Sequence, residues 1–414
     1  TVVTDSSQSD LASGNNGNIV LVATLGDVTL NDGTDADGIA LNANGSGSVL
    51  IDSVAGNVTA NADILSYTGH ITVKADLAMN LNANVDLVTA STGTISLDAE
   101  GGALTMAGST NVEATGSSLR VAASNDIVLG NLTATNVSVI TTGGAISNAS
   151  GTTMNVTATK VRLEADDAIG TSGNRLTLDV DTVSATSTGT TSAGIYLTES
   201  DGITVDSVAV TVTEIAGDLS TADVTDAAQS DLTAGTNGNV VLVASAGDIT
   251  LNDGTVTGDS AVSANGTGSI LVDAEAGNVV VNADITSGTG DITLKADLAM
   301  TLNAGVGVTT ASAGTISLDA EGGALSMHGT SNVTATGSSL RVAGETNVTI
   351  GNLTGTNVSV VSRTGAIVNA SASSKNVTAT NLRLAAAGAI AASDRHLSID
   401  VTKVSANSTG TGTA

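Results

Sequence analysis

The chain has 414 residues, of which 48 are Gly and only two are aromatic (Tyr67 and Tyr196), with no Pro, Cys, Phe or Trp. Twelve Lys and Arg against 40 Asp and Glu give a net charge of −28, which argues against nucleic-acid binding because that needs a basic track and stacking platforms. Without cysteine there are no disulfides, thiolate metal sites or cysteine nucleophiles. No apolar run approaches the roughly 18 residues that span a bilayer. An apolar fraction of 41%, spread evenly as Val, Ile, Leu and Ala, separates the chain from acidic disordered sequences.

Read from the N-terminus, short segments alternate apolar and polar residues, each opened by Gly or Asn and a polar residue. They include GDVTL (26–30), GSVLI (47–51), GHITV (69–73), GTISL (93–97), SSLRV (118–122), NDIVL (125–129) and NRLTLDV (174–180). Period-two alternation rich in Val, Ile and Thr predicts strands, and the density of β-branched residues and Gly disfavours helix. The clearest strand is VAVTVTEI (208–215), with Val208, Val210 and Val212 on one side and Ala209, Thr211 and Thr213 on the other.

The whole pattern then repeats. TDSSQSDL (4–11) returns as TDAAQSDL (225–232), LVATLGDVTLNDGT (21–34) as LVASAGDITLNDGT (242–255), and TGSSLRVA (115–122) at 336–343. Every pair is separated by the same offset, with no insertion or deletion. The reading is a repeat unit over 1–221 and a second, truncated copy over 222–414, with no separate globular domain. Ala414 matches Ala193, so a longer array is expected.

Gly47, Gly69 and Gly93 open similar strands at near-equal intervals. Their spacing suits one coil of a parallel β-helix with two or three strands per turn. Absence of Pro agrees, because nearly every backbone N–H in such a stack bonds to the next coil. Asn31, Asn61 and Asn82, with their copies Asn252, Asn282 and Asn303, suit corners carrying stacked side-chain ladders. The expected fold is all-β: a right-handed parallel β-helix (β-solenoid) forming an elongated rod. At roughly 21 residues per coil and about 4.8 Å per coil it has about 20 coils and is on the order of 95 Å long. The right hand follows from the crossover rule for parallel strands.

The stretch KVRLEADDAIGTSGNRLTLDVDTVSATSTG (160–189), followed by GIYLTESDGITV (194–205), resembles the repeats of filamentous-haemagglutinin-type surface proteins. NLRLAAAGAIAASDRHLSIDVTKVSANSTG (381–410) keeps the same frame. The resemblance implies a right-handed β-helix shaft, an extracellular or cell-surface location, and a role in adhesion or surface structure. Partners implied are neighbouring repeats or copies in a fibre, and a host or neighbouring cell reached through a tip outside these residues.

Candidate chemistry is sparse. Asp98 and Glu100, retained as Asp319 and Glu321, share an outward face and form the best carboxylate pair for a polysaccharide-degrading or carbohydrate-binding β-helix enzyme. The same pair in both copies, without His or a sugar platform beside it, reads better as a solvated face, so no catalytic residue is assigned. NDGTDADG (31–38) places Asp32, Asp35 and Asp37 in a crude Ca²⁺ loop. Its copy loses two of these acids and adds Asp259, so the expectation is weak Ca²⁺ association, with no metal site or cofactor assigned. Lys74 with Asp76, and Lys295 with Asp297, are expected to pair charges between adjacent coils. His70, His328 and His396 sit at three different places in the unit and suggest no zinc site. Asn44, Asn57, Asn131, Asn136, Asn148 and Asn155 start Asn-x-Ser/Thr triplets, which in this composition are not read as glycan acceptors. NIVLVA (18–23) and NVVLVA (239–244) are apolar on both faces. Val20, Val22, Val241, Val243 and Val280 are therefore candidates for an outward lateral contact between shafts, the competing reading being cover by a neighbouring loop.

Overall fold

A computed structural model of the protein describes residues 9–191, 193–254, 260–370, 375–392 and 394–410. Asp259 lies outside them. Two compact units result: Thr1–Val180 with Val208–Ala228, and Asp181–Ser207 with Gln229–Ala414. Among the described residues there is no helix; the chain is all-β and the ladders of its large sheets are parallel.

In the first unit the coils build three walls, and each wall segment pairs with its counterpart in the next coil. One wall aligns Leu11, Leu41, Ile64, Leu87, Val112, Leu132 and Val156. A second aligns Ile19, Val49, Ile71, Ile95, Leu119, Val137 and Val161. A third aligns Val28, Val58, Met79, Leu104, Ile127 and Ile146, with a bridge to Ile169. The aligned residues are the inward ones: from the second coil on, those of the second wall are fully buried. Alternation along each strand sends every other side chain out of the stack. Stacked aliphatic side chains fill the lumen, and burying each contributes on the order of 1.5–3 kcal/mol.

The second unit repeats these registers at the offset that separates the two sequence copies. Its second wall runs Ile195, Val240, Ile270, Ile292, Ile316, Leu340, Val358, Leu382 and Val404. The coils are of uneven length. In the first unit's second wall the shortest step is Leu119 to Val137 and the longest is Ile19 to Val49, and the chain also leaves the coil path after Val205.

Local chemistry explains the corners. Asn111–Ala123 is one strand that serves two walls, and Gly116 bends it with φ of 82°. Gly69 stacks against Gly47, where a Cβ would collide with the Gly47 carbonyl. The anticipated amide ladders are present: Asn61 Nδ2 donates to Asn31 Oδ1 at 2.7 Å, Asn82 Nδ2 donates to Asn61 Oδ1, and Asn252, Asn282 and Asn303 repeat the chain of bonds.

The strand Val208–Ile215 does not join the parallel stack. It pairs with Thr221–Gln229 in a two-stranded sheet of its own, closed by a turn in which Leu219 N donates to Ala216 O at 2.9 Å. Thr211 faces Thr225 and Thr213 faces Asp223, an antiparallel register. Within the first unit this hairpin lies against the outer face of the second wall.

Candidate functional site: a hairpin-capped face and acidic corners

The hairpin turns its apolar side inward. Val208, Val210, Val212 and Ile215 are at most 4% exposed, while Ala209 and Thr211 face solvent. Outward side chains of successive coils receive it. Thr72 Oγ1 accepts from Ile215 N at 3.1 Å, and Thr94 Oγ1 both accepts from Thr213 N (3.1 Å) and donates to Thr213 O (2.7 Å). Ser96 Oγ donates to Glu214 Oε1 at 2.7 Å, and Lys74 Nζ lies 2.7 Å from Glu214 Oε2. Arg120 bridges two layers, with Nη1 on Asp98 and Nε on Asp226, each at 3.2 Å. Arg162 Nε donates to Ala227 O at 3.1 Å.

Burial raises the Glu214 carboxyl, but hydrogen bonds from Lys74 and Ser96 and the charges of Lys74 and Arg120 outweigh it, so its pKa lies below the ordinary carboxylate range. Burial depresses the Lys74 ammonium, and Glu214 overcomes this and raises it. The hairpin is thus held by an apolar strip and a charge-assisted clasp.

This arrangement relocates several residues singled out from the sequence. Lys74 pairs with Glu214, a residue several coils further along the chain, and not with Asp76. In the second unit Lys295 pairs with Asp273 of the adjacent coil at 3.1 Å. Asp98 is bound by Arg120, and its copy Asp319 is bound by both Arg341 and Arg363 at 2.8 Å. Both acids are consumed in charge ladders along the wall. Asn155, one of the Asn-x-Thr residues, is completely buried. His70 is half-buried, its Nδ1 is 2.9 Å from Thr94 Oγ1, and burial lowers its pKa. His328 and His396 are exposed.

The five valines do not form one stripe. Val20 and Val22 are about 40% exposed on the second wall of the first unit. A Cβ at Gly217 in the hairpin turn would touch Val22 Cγ2 at 3.9 Å. Val241 is half-buried. Val243 lies on the outward side of its strand, in its ladder between Thr198 and Asp273, and is only 5% exposed. Val280 belongs to the third wall, where it pairs with Thr250 and Thr301.

Acidic groups gather at one corner of each unit. Asp10 joins Asp32, Asp35 and Asp37, and carboxylate oxygens of all four lie within 4.8 Å of one another. The sequence reading missed Asp10 because it lies one coil earlier. Its retention as Asp231, beside the retained pair Asp32 and Asp253, was the available signal. Desolvation and the charges of Asp35 and Asp37 raise Asp10. In the second unit, burial first, then the charges of Asp253 and Asp206, push Asp231 up to about 7 against the relief of a Ser230 hydrogen bond. Hard oxygen clusters of this kind suit Ca²⁺ better than softer metals.

The fold and faces define the class of protein: a repetitive parallel β-solenoid with an external hairpin. No family model, curated protein or solved structure matches the chain.

Proposed function

We propose that the chain is a structural, non-catalytic shaft segment of a long repetitive extracellular or cell-surface protein of the filamentous-haemagglutinin type. The observation that carries this reading is the coil rhythm. Both copies use the same sequence of coil lengths in the same registers, so the scaffold extends by duplication without redesign. One acid of each carboxylate pair best placed for catalysis, Asp98 and its copy Asp319, is tied up in ion pairs along the wall, which favours a mechanical role over polysaccharide cleavage.

In this reading the backbone ladders and dry lumen supply stiffness, and the acidic outer faces keep neighbouring shafts apart until salt or divalent cations screen them. Partners are other repeats or copies in a fibre, and a cell surface reached by a tip elsewhere in the protein. The Asp10 corner offers Ca²⁺ weak attachment. Val20, Val22 and Val241 are the apolar contacts between shafts. The test is electron microscopy and light scattering of the purified chain. Side-by-side bundles are expected, increased by Ca²⁺ and reduced by changing Val20, Val22 and Val241 to Thr. A chain that stays dispersed with and without Ca²⁺ counts against fibre assembly.

A further inference from the structure

The six side chains that grip the hairpin in the first unit all recur in the second copy. Thr72, Lys74, Thr94, Ser96, Arg120 and Arg162 become Thr293, Lys295, Thr315, Ser317, Arg341 and Arg383 without one change. Neighbouring outward positions drift between the copies: Lys160 becomes Asn381, Glu164 becomes Ala385 and Glu113 becomes Thr334. The retained set therefore exceeds what the strand pattern alone requires.

In the second unit these groups are uncovered. Thr94 is 7% and Arg162 8% exposed, whereas Thr315 and Arg383 are exposed. Thr72 and Ser96 are buried, whereas Thr293 and Ser317 are half-exposed. An open groove of about 460 Å³ runs here, lined on its outward side by Thr315, Ser317, Arg341, Ser359 and Arg383. Arg341 makes the inner bond of its counterpart, to Asp319 at 2.8 Å, but among the described residues it has nothing equivalent to the outer bond from Arg120 to Asp226. Among the described residues Lys295 meets no counterpart of Glu214 and pairs with Asp273. Among the described residues the second unit shows no counterpart of the first unit's two-stranded hairpin.

We propose that the outer face of the second wall in the second unit is a docking site for a β-hairpin of the Val208–Ala228 kind. Its occupant presents Val at alternate positions to the groove, an acid matching Glu214 to Lys295 and Ser317, and an acid matching Asp226 to Arg341. The repeat itself carries such a hairpin, as Val208–Ala228 does in the first unit. This holds whether or not the chain is a surface shaft.

The test uses the full chain and a labelled synthetic Val208–Ala228 peptide. The peptide carries Thr211→Cys and Thr225→Cys joined by a disulfide, positions whose hydroxyls lie 2.9 Å apart across the hairpin. Closing it removes the objection that an isolated hairpin is only marginally folded in water. Fluorescence anisotropy and calorimetry should show saturable binding of one peptide per chain. Arg341→Glu, or Ser359→Trp to fill the groove at a half-buried outward position, should each weaken it by about tenfold or more, with strand content by circular dichroism unchanged. A closed peptide carrying Glu214→Lys and Asp226→Lys should lose affinity to the same extent. Absence of saturable binding overturns the proposal. So does binding indifferent to Arg341→Glu and Ser359→Trp, which would mean the peptide is exchanging with the resident hairpin of the first unit.

Discussion

Replacing Asn155 by Ala should cost the first unit about 3–5 kcal/mol, more than any exposed Asn of the ladders, since each lost bond costs about 1 kcal/mol net and each buried group left unpaired costs more. Asn155 is wholly buried, and its amide ties three coils together. Nδ2 donates to Leu129 O and to Asn148 Oδ1, each at 3.1 Å. Oδ1 accepts from Thr177 N at 3.0 Å and from Thr177 Oγ1 at 3.2 Å. A buried carbonyl or N–H deprived of its partner costs about 1–3 kcal/mol. Asn155→Asp should be worse at neutral pH, since it sets a carboxylate against the Leu129 carbonyl. Stacked coils need not unfold all at once, so the assay is native-state hydrogen exchange alongside urea unfolding. The Thr177 amide, bonded directly to Asn155, should lose the most protection. Asn376→Ala should do the same in the second unit, where Nδ2 reaches Ile350 O (3.2 Å) and Asn369 Oδ1 (2.9 Å) and Oδ1 accepts from Ser398 N (3.0 Å). A loss below about 1 kcal/mol in both would refute the reasoning that these amides lock successive coils.

The hairpin should be acid-labile. Glu214 has a depressed pKa when folded, so its contribution is complete above the ordinary carboxylate value and is lost as pH falls through the depressed one. Exchange of the amides of Val208–Ile215 should accelerate over that range while those of the lumen strands do not, and Glu214→Gln should abolish the pH dependence. Asp231 should act in the opposite sense. Its pKa is raised to about 7, so the folded state binds the proton more tightly, and stability falls as pH climbs from about 4 to about 7. The full shift corresponds to about 4 kcal/mol, reduced to about 2 kcal/mol because the group is half-exposed. Urea unfolding of Asp231→Asn against the parent at about pH 4 and pH 8 reads this directly: the variant should gain at pH 8 and match the parent near pH 4.

Much of the coil architecture was legible in the residues, because strand and lumen are local patterns. GSVLI, GHITV and GTISL alternate with period two and begin at near-equal intervals, and they form consecutive rungs of one wall. The Asn corners were legible for the same reason: a small amide repeated once per coil has a copy of itself to bond. The hairpin was not. VAVTVTEI alternates as a lumen strand does, and nothing within it says that its apolar side faces the outside of the stack. The trace it leaves is a spacing anomaly: the step from Ile195 to Val240 is far longer than even the Ile19 to Val49 step. The clasp was equally hidden, since Lys74 and Glu214 meet only after several coils have formed. For Val243, alternation gave the correct side of the strand but not its burial.

The central claim is that successive coils stack in parallel with the registers described. Oxidative disulfide trapping in the second unit tests it most directly. Thr293 is paired with Ser317 and Lys295 with Asp319, both pairs outward and on adjacent rungs. Cysteines at 293 and 317, or at 295 and 319, should close readily with the fold intact, since registered neighbours lie within disulfide reach. Cysteines at 293 and 319, or at 295 and 317, should close poorly. Efficient trapping of the second set over the first would mean antiparallel pairing, and the solenoid would be wrong.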